Sequence, residues 1–350
     1  MLWDSYGWYS VRAWLWLLFD IITSRLVRLK PIQQRLLNDA VVVVTGANSG
    51  IGKETARLFV KSGAKVILAC RNCKLGQQVK EEFCSKDKAR ENKIWVLPLD
   101  LTCQTSIRSF VEQFKSLQLP LDYLILNAGV LGVPLSYTKD NVELHFGVNH
   151  LGHFMLTLLL MENLIQTKHS RVVIVSSLTY LLGSLHLDDI NYKKRRYRSF
   201  EAYATSKLCN LLFMRELCKR CKSEQLSVVA VHPGDVHTQV ARHFGKWIYY
   251  LYEQLASIIL RSPEQGALSV YAAAVDPYLS SFSGIFTMNV DQLVALAPNA
   301  IHDASSKCLW KKSLSLISFQ SHEIEMLRSL RILYEDEYLQ CLADCNREES

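Results

Sequence analysis

No histidine stands at finger spacing from any of the three close cysteine pairs, Cys70/Cys73, Cys218/Cys221 and Cys341/Cys345. Structural zinc needs two pairs brought into one tetrahedral shell. With Cys70 at an expected strand end and Cys218 late on an expected helix, that shell is not supplied, and no metal is expected. The ten cysteines read instead as free thiols of a reducing compartment. The apolar N-terminus is not followed by a small-x-small cleavage site, which argues against a removed signal peptide. Its apolar run, Ala13 to Ile22, falls short of the roughly 20 residues of a spanning helix and contains Asp20. The basic excess of +7 is spread along the chain, apart from Lys193-Lys194-Arg195-Arg196 with Arg198 close by. A spread excess argues against nucleic acid and suits an anionic membrane surface or a phosphate-rich cofactor. Internal repeats and low-complexity linkers are absent. A 49% hydrophobic chain of 350 residues supports one large globular domain or one domain with appendages.

What residues 1–37 do contain is tryptophan: Trp3, Trp8, Trp14 and Trp16 are four of the seven. On a helical wheel Arg12, Asp20, Thr23 and Ser24 share one arc, and Val11, Leu15, Leu18, Ile22 and Leu26 share the opposite one. The pattern predicts a helix lying in the membrane interface with Trp at headgroup depth. A helix docked on the protein itself is the competing reading. Were the segment to span, Arg25, Arg28, Lys30 and Arg35 would keep the main domain in the cytosol.

The globular part starts near Asp39. Val41 to Val44 is a continuous β-branched run, as in a strand buried on both faces of a parallel sheet. Thr45-Gly46-Ala47-Asn48-Ser49-Gly50-Ile51-Gly52 follows, then a helical stretch from Lys53 to Ser62. Strand, glycine turn and helix start are what a dinucleotide pyrophosphate needs: close backbone amides at the positive end of a helix. The second strand, Lys65 to Ala69, ends in Cys70-Arg71-Asn72 and lacks the acid that holds NAD ribose hydroxyls. Arg71 is instead suited to a 2′-phosphate, so NADP(H) is expected over NAD(H).

Further strands are expected at Trp95 to Leu101, Asp122 to Leu126, Arg171 to Val175, Ser227 to Val231 and Ser283 to Met288, about seven in all. Helical stretches fall at Gly76–Cys84, Thr105–Leu117, Asn141–Ile165 and Pro263–Val275. This alternation predicts an α/β fold, a Rossmann-type doubly wound parallel sheet. Ligands of such sheets bind beyond the carboxyl ends of the strands. That rule puts Gly46, Arg71, Asp100, Asn127 and Ser177 on one rim, with Asp100 in reach of an adenine amino group.

Tyr203-Ala204-Thr205-Ser206-Lys207 follows Ser177 after 26 residues. On a helix Tyr203 and Lys207 share one face. A phenol of pKa about 10 is a poor acid or base at neutral pH, and a neighbouring ammonium favours the phenolate. The stretch Leu178 to Glu201 reads as an exposed loop. Residues 235–262, with Phe244, Trp247, Tyr249, Tyr250 and Tyr252, form either an apolar lid on the cleft or ordinary core. The expected divisions are 1–37 as a membrane-associated segment, 38–300 as the nucleotide-binding catalytic domain and 301–350 as a helical tail.

Together Thr45 to Gly52, Asn127-Ala-Gly129, Asn149, Ser177, Tyr203-x-x-x-Lys207 and Pro233-Gly234 resemble the short-chain dehydrogenases/reductases, in order and spacing. Ala69-Cys-Arg71, Val148-Asn-His-Leu-Gly-His-Phe154 and Ser206-Lys-Leu-Cys-Asn210 resemble the branch of retinol dehydrogenases, the WW-domain oxidoreductase and the X-linked dehydrogenase/reductase. Ser106 to Lys115 and the N-terminal segment lean toward the last of these.

The resemblance implies Tyr203 as proton donor/acceptor and Lys207 as the residue that lowers its pKa and binds the nicotinamide ribose. It implies Ser177 as the hydroxyl on the substrate oxygen and Asn149 as holder of a water between Lys207 and solvent. It implies cofactor contacts at Gly46, Asn48, Ser49, Gly50, Ile51, Gly52, Arg71, Asp100, Leu101, Asn127, Ala128, Gly129, Tyr203, Lys207, Pro233, Gly234 and Thr238. The expected activity interconverts a lipophilic alcohol (retinoid, polyprenoid or steroid) and its aldehyde or ketone, in lipid metabolism. The domain would sit at the cytosolic face of the endoplasmic reticulum membrane, in contact with lipid, and a homodimer is compatible with the sequence. Two other classes are weighed. An NADP-binding scaffold with little turnover would tolerate loss of the Ser/Tyr/Lys set, which is complete here. A nucleotide-sugar epimerase would need a different glycine spacing and a polar sugar site.

Overall fold

The computed structural model describes residues 14–17, 20, 29, 35–85, 87–221, 226–236 and 260–348. Most of the expected N-terminal helix, Thr238 and the aromatic residues from Phe244 to Tyr252 lie outside them.

The parallel strands are β1 (Val41–Thr45), β2 (Lys65–Cys70), β3 (Ile94–Pro98), β4 (Tyr123–Leu126), β5 (Ser170–Val175), β6 (Leu226–His232) and β7 (Ile285–Met288). An eighth, β8 (Gln292–Leu293), adds antiparallel to β7. The sheet order is β3-β2-β1-β4-β5-β6-β7-β8. The expected count of about seven misses only β8, two exposed edge residues with no periodicity to read. The third strand stops at Pro98, short of the expected Leu101, so Asp100 lies in the turn beyond it.

Side chains alternate across the sheet, as the period of two demands. Val41, Val43, Ile67, Leu124 and Val172 enter one core, and Val42, Val44, Val66, Ile125 and Val173 the other. Helices α1 (Gly50–Lys61), α2 (Cys73–Cys84) and α6 (Pro263–Val275) cover the second face through Phe59, Phe83 and Val270. Helices α3 (Gln104–Ser116), α4 (Gly152–Leu159) and α5 (Ser199–Arg220) cover the first through Phe110, Phe154 and Leu211. The β-branched runs were legible because both faces are buried.

The C-terminal helices α7 (Asp303–Leu314), α8 (Ser321–Ser329) and α9 (Glu335–Glu348) pack on that first face, and Trp310, Leu314 and Ile324 join its core. Arg108 of α3 grips Glu323 of α8 with both ends of its guanidinium, at 2.7 and 3.0 Å. The stretch between Ser177 and α5 is not wholly exposed. It holds a short 3-10 turn, Leu178–Leu182, and buries Tyr180 and Tyr192. Tyr180 is in the core because its ring meets Phe286 edge-on and its hydroxyl accepts from the Ala297 amide at 3.0 Å. Lys193, Lys194 and Arg196 of the basic run do face outward, while Asp189 caps the backbone of Lys193, Lys194 and Arg195.

Chain order reverses beside β1, which pairs with β2 on one side and β4 on the other. A crevice opens at such a switch point beyond the strand ends.

Candidate active site

The crevice is a cavity of about 480 Å³. Its wall includes every expected cofactor residue among those described: the turn from Gly46 to Gly52 without Ala47, Arg71, Asp100, Leu101, Asn127 to Gly129, Tyr203, Lys207, Pro233 and Gly234. Ser177 lines it too, while Asn149 is fully buried behind it.

The glycine turn is shaped for a close ligand. Gly46 has a left-handed φ of 68°, which side chains rarely adopt. A Cβ on Gly52 would fall onto the Asn127 amide and the Gly46 carbonyl, so α1 starts tight against the turn. These features fit a dinucleotide pyrophosphate at the start of α1.

Thr45 is the hub beneath the turn. Its Oγ1 accepts from the amides of Asn127 (2.9 Å) and Ala128 (3.0 Å), and its carbonyl accepts from Asn127 Nδ2 (2.9 Å). Sequence reading passed over Thr45 as merely the first residue of the turn.

On the adenosine side, Arg71 is exposed and makes no side-chain hydrogen bond with the described residues. The Cys70 thiol points away from it, toward Gly76, and burial pushes it up to about 12. Asp100 accepts from Thr102 N (3.1 Å) and Oγ1 (2.8 Å), with Lys139 Nζ 3.4 Å away. Burial works to raise its pKa, but these hydrogen bonds and Lys139 overrule it and hold the carboxyl below its usual range.

At the other end, α5 carries Tyr203 and Lys207 on one face, with Lys207 Nζ 5.5 Å from the Tyr203 ring centre. The Ser177 hydroxyl stands near enough to Tyr203 to favour its phenolate. Ser176 lines the cavity too, but its Oγ donates to the Lys207 carbonyl at 2.9 Å, which leaves Ser177 as the hydroxyl with a proton to give.

Asn149 sits in a π-turn, Gly147–Leu151, where the amide of Gly152 reaches back five residues to Gly147. Its side chain donates to Ser206 Oγ (2.9 Å) and Val130 O (3.1 Å) and accepts from Val130 N (2.8 Å). The four residues expected from the sequence are therefore brought together.

The electrostatics differ from the expectation in one respect. Lys207 Nζ donates to the Val175 carbonyl (3.0 Å), not to the phenol. Burial, with the nearby Asp235 adding to it, raises the Tyr203 phenol above its ordinary range, and the Ser177 hydroxyl offsets this only in part. Burial also lowers Lys207 to about 8.

Asp235 belongs to a group that sequence reading missed. Asp20 Oδ2 lies 3.0 Å from His232 Nε2, and Asp235 completes a cluster with both. Burial pushes Asp235 up to about 6, with Asp20 beside it. Asp20 was legible only as a polar interruption in an apolar run. Its partner is 212 residues away. Near it Leu17 is buried, Trp14 stacks on Phe200 at 5.6 Å, and Leu15 and Trp16 are 59% and 53% exposed.

The short chain dehydrogenase family model matches residues 40–248. Retinol dehydrogenase 12 of Mus musculus is 40% identical over 280 residues, 80% of this chain and 87% of its own length. Retinol dehydrogenase 11 of Homo sapiens is 39% identical over 279 residues, 79% and 85% of the two chains. The WW domain-containing oxidoreductase of Danio rerio is 39% identical over 300 residues, 83% and 71%. Among solved structures, an uncharacterised protein of Mycobacterium paratuberculosis superposes with a TM-score of 0.64 at 33% identity, covering 81% of this chain and 94% of that one. A short chain dehydrogenase of Escherichia coli CFT073 complexed with NADPH shares the fold, with a TM-score of 0.58, 24% identity and coverage of 74% and 99%.

Proposed function

The chain belongs to the short-chain dehydrogenases of the retinol dehydrogenase branch, oxidoreductases acting on CH–OH groups, and we propose that it interconverts a lipophilic alcohol and its aldehyde or ketone with NADP(H). One observation carries this: Ser177, Tyr203 and Lys207 meet at one end of a cavity whose other end is a glycine turn and an exposed arginine.

The turn Gly46–Gly52 and the Asn127–Gly129 segment hold the dinucleotide, and Arg71 holds a 2′-phosphate. NADP(H), when bound, supplies or accepts the hydride. Ser177 Oγ and the Tyr203 phenol hydrogen-bond the substrate oxygen, and the phenol gives or takes its proton. The Lys207 ammonium, buried and with no carboxylate bridge among the described residues, acts on the phenol and a ribose hydroxyl once the site is filled. Asn149, tied to Ser206 and Val130, keeps a water between Lys207 and solvent.

The apolar substrate class rests on the family branch and on the N-terminal segment. Leu15 of the arc read as membrane-seeking faces outward, while Asp20 of the polar arc turns to His232. We place the domain on the cytosolic side of the endoplasmic reticulum membrane, where such a substrate enters from lipid. Among the described residues no helix is long and apolar enough to cross a bilayer.

The test is an NADPH-oxidation screen of detergent-solubilised full-length protein against retinal, long polyprenals, ketosteroids and fatty aldehydes. Turnover of at least one, lost in Tyr203→Phe, is the expected result. Tight NADPH binding without turnover of any class would favour a scaffold role.

A further inference from the structure

His153 is buried to 3% and has no part in the chemistry above, yet it touches both halves of the site. Its Nε2 lies 2.9 Å from Thr45 Oγ1, and its Nδ1 lies 3.2 Å from the Asn149 carbonyl oxygen. The tautomer follows from counting. A hydroxyl has two acceptor lone pairs and one donor hydrogen. Both Thr45 lone pairs are taken by the amides of Asn127 and Ala128. Toward the imidazole Thr45 must therefore donate, so Nε2 accepts and the proton of the neutral ring stays on Nδ1, where it is given to Asn149. The alternative acceptor for Thr45, the Ile125 carbonyl, is farther at 3.3 Å.

We propose that His153 is a positioning residue that locks the Asn149 carbonyl to the Thr45 hub, so that the nucleotide-binding segment Asn127–Gly129 and the π-turn carrying Asn149 move as one unit. The proposal rests on the reading of the site given above and adds a residue to it. The π-turn shifts its backbone bonding from four to five residues, and the imidazole N–H adds a side-chain bond to the Asn149 carbonyl within it. The two neighbouring titratable groups, Lys207 and His150, both oppose a second charge here, and His153 is lowered to about 4, chiefly by burial. The ring stays neutral and keeps one donor and one acceptor throughout the working range.

The experiment separates the two contacts. An Asn amide sits where Nδ1 sits, and a Gln amide reaches to where Nε2 sits. His153→Asn keeps the donor to Asn149 and loses the Thr45 contact: NADPH should bind roughly 10-fold more weakly, the value of one hydrogen bond at its upper end, with a smaller fall in kcat. His153→Gln keeps the Thr45 contact: NADPH affinity should hold while kcat falls roughly 10-fold and its pH profile shifts. In full-length protein labelled with ¹⁵N-histidine and free of cofactor, His153 should titrate as a neutral Nδ1–H ring down to about pH 5. That arm needs no turnover, so it decides the proposal even if the assigned activity is wrong. An Nε2–H tautomer or a charged ring at pH 7 overturns it. So does a parallel fall of affinity and kcat in both variants in step with Tm, which would make His153 ordinary packing.

Discussion

Helix α5 buries a cation in each half, and the two are treated in opposite ways. Arg220 meets Glu216 at 2.9 Å and Glu337 at 2.5 and 2.9 Å, donates to the Ile332 carbonyl at 3.0 Å, and stacks between Trp310 and Tyr334, each 4.2 Å away. Among the described residues Lys207 has one carbonyl at 3.0 Å and no carboxylate bridge. A buried charge is tolerable when carboxylates and hydrogen bonds replace its water, and costly when they do not. The first arrangement fastens the C-terminal helices to the sheet. The second leaves an under-satisfied cation beside a phenol, ready for a partner that the chain itself does not supply. Along this helix the fully bridged cation serves the fold, and the one held by a single carbonyl stands at the site.

The largest effect should come from breaking the Arg220 network. Arg220→Met leaves Glu216 and Glu337 buried without their counter-ion and should lose about 3–5 kcal/mol of stability, measured by urea unfolding, with kcat of the folded fraction unchanged. A loss below about 1 kcal/mol would show that the ends of α5 and α9 relax freely.

Tyr203→Phe probes the other half. It keeps the ring and its packing, so Tm should stay within a few degrees while kcat falls by roughly 10² or more. Near-normal turnover would remove the phenol from the mechanism.

Arg71→Ala is next. NADPH should bind roughly 10–150-fold more weakly, with NADH unaffected. Isothermal titration with both cofactors decides it, and equal binding to the unaltered protein would end the phosphate reading. An acid at Cys70 is a poor companion change, because that side chain packs under Gly76 and would bury a carboxylate.

The smallest effect carries the sharpest sign. Lys207 has a pKa of about 8 in the folded state, below the roughly 10.4 of an exposed lysine. Folding therefore disfavours its proton. The penalty is full below pH 8 and is relieved as pH rises to about 10.4, where the unfolded chain also lets go. Lys207→Met, inactive as an enzyme, should be more stable at pH 7 by an amount on the order of 1 kcal/mol, and the advantage should fade across that window. Destabilisation at pH 7 would mean that the Val175 contact outweighs the burial.

Much of this was readable before any fold. The β-branched runs gave strands because both faces of the sheet are covered, and the glycine turn was legible because its conformation admits few residues. Tyr203 and Lys207 were legible because helical spacing is local. Asp20 with His232, Thr45 with His153, and Arg220 with Glu337 were not, since each joins positions far apart in the chain.

The sequence by itself determined which groups this protein owns and the local elements that carry them: a nucleotide turn, a phenol and an ammonium one helical turn apart, an arginine in place of an acid. Those depend on neighbours within a few residues. Only the tertiary structure decided how each group is charged and held. Both serines line the cavity, and Ser177 is the one with its hydroxyl to spare because Ser176 gives its proton to the Lys207 carbonyl. The phenol is raised and the ammonium lowered because both are buried. His153 takes one tautomer because two amides have already filled the lone pairs of Thr45. Solvation and hydrogen-bond occupancy depend on what the whole chain packs around a residue, and no local pattern encodes them.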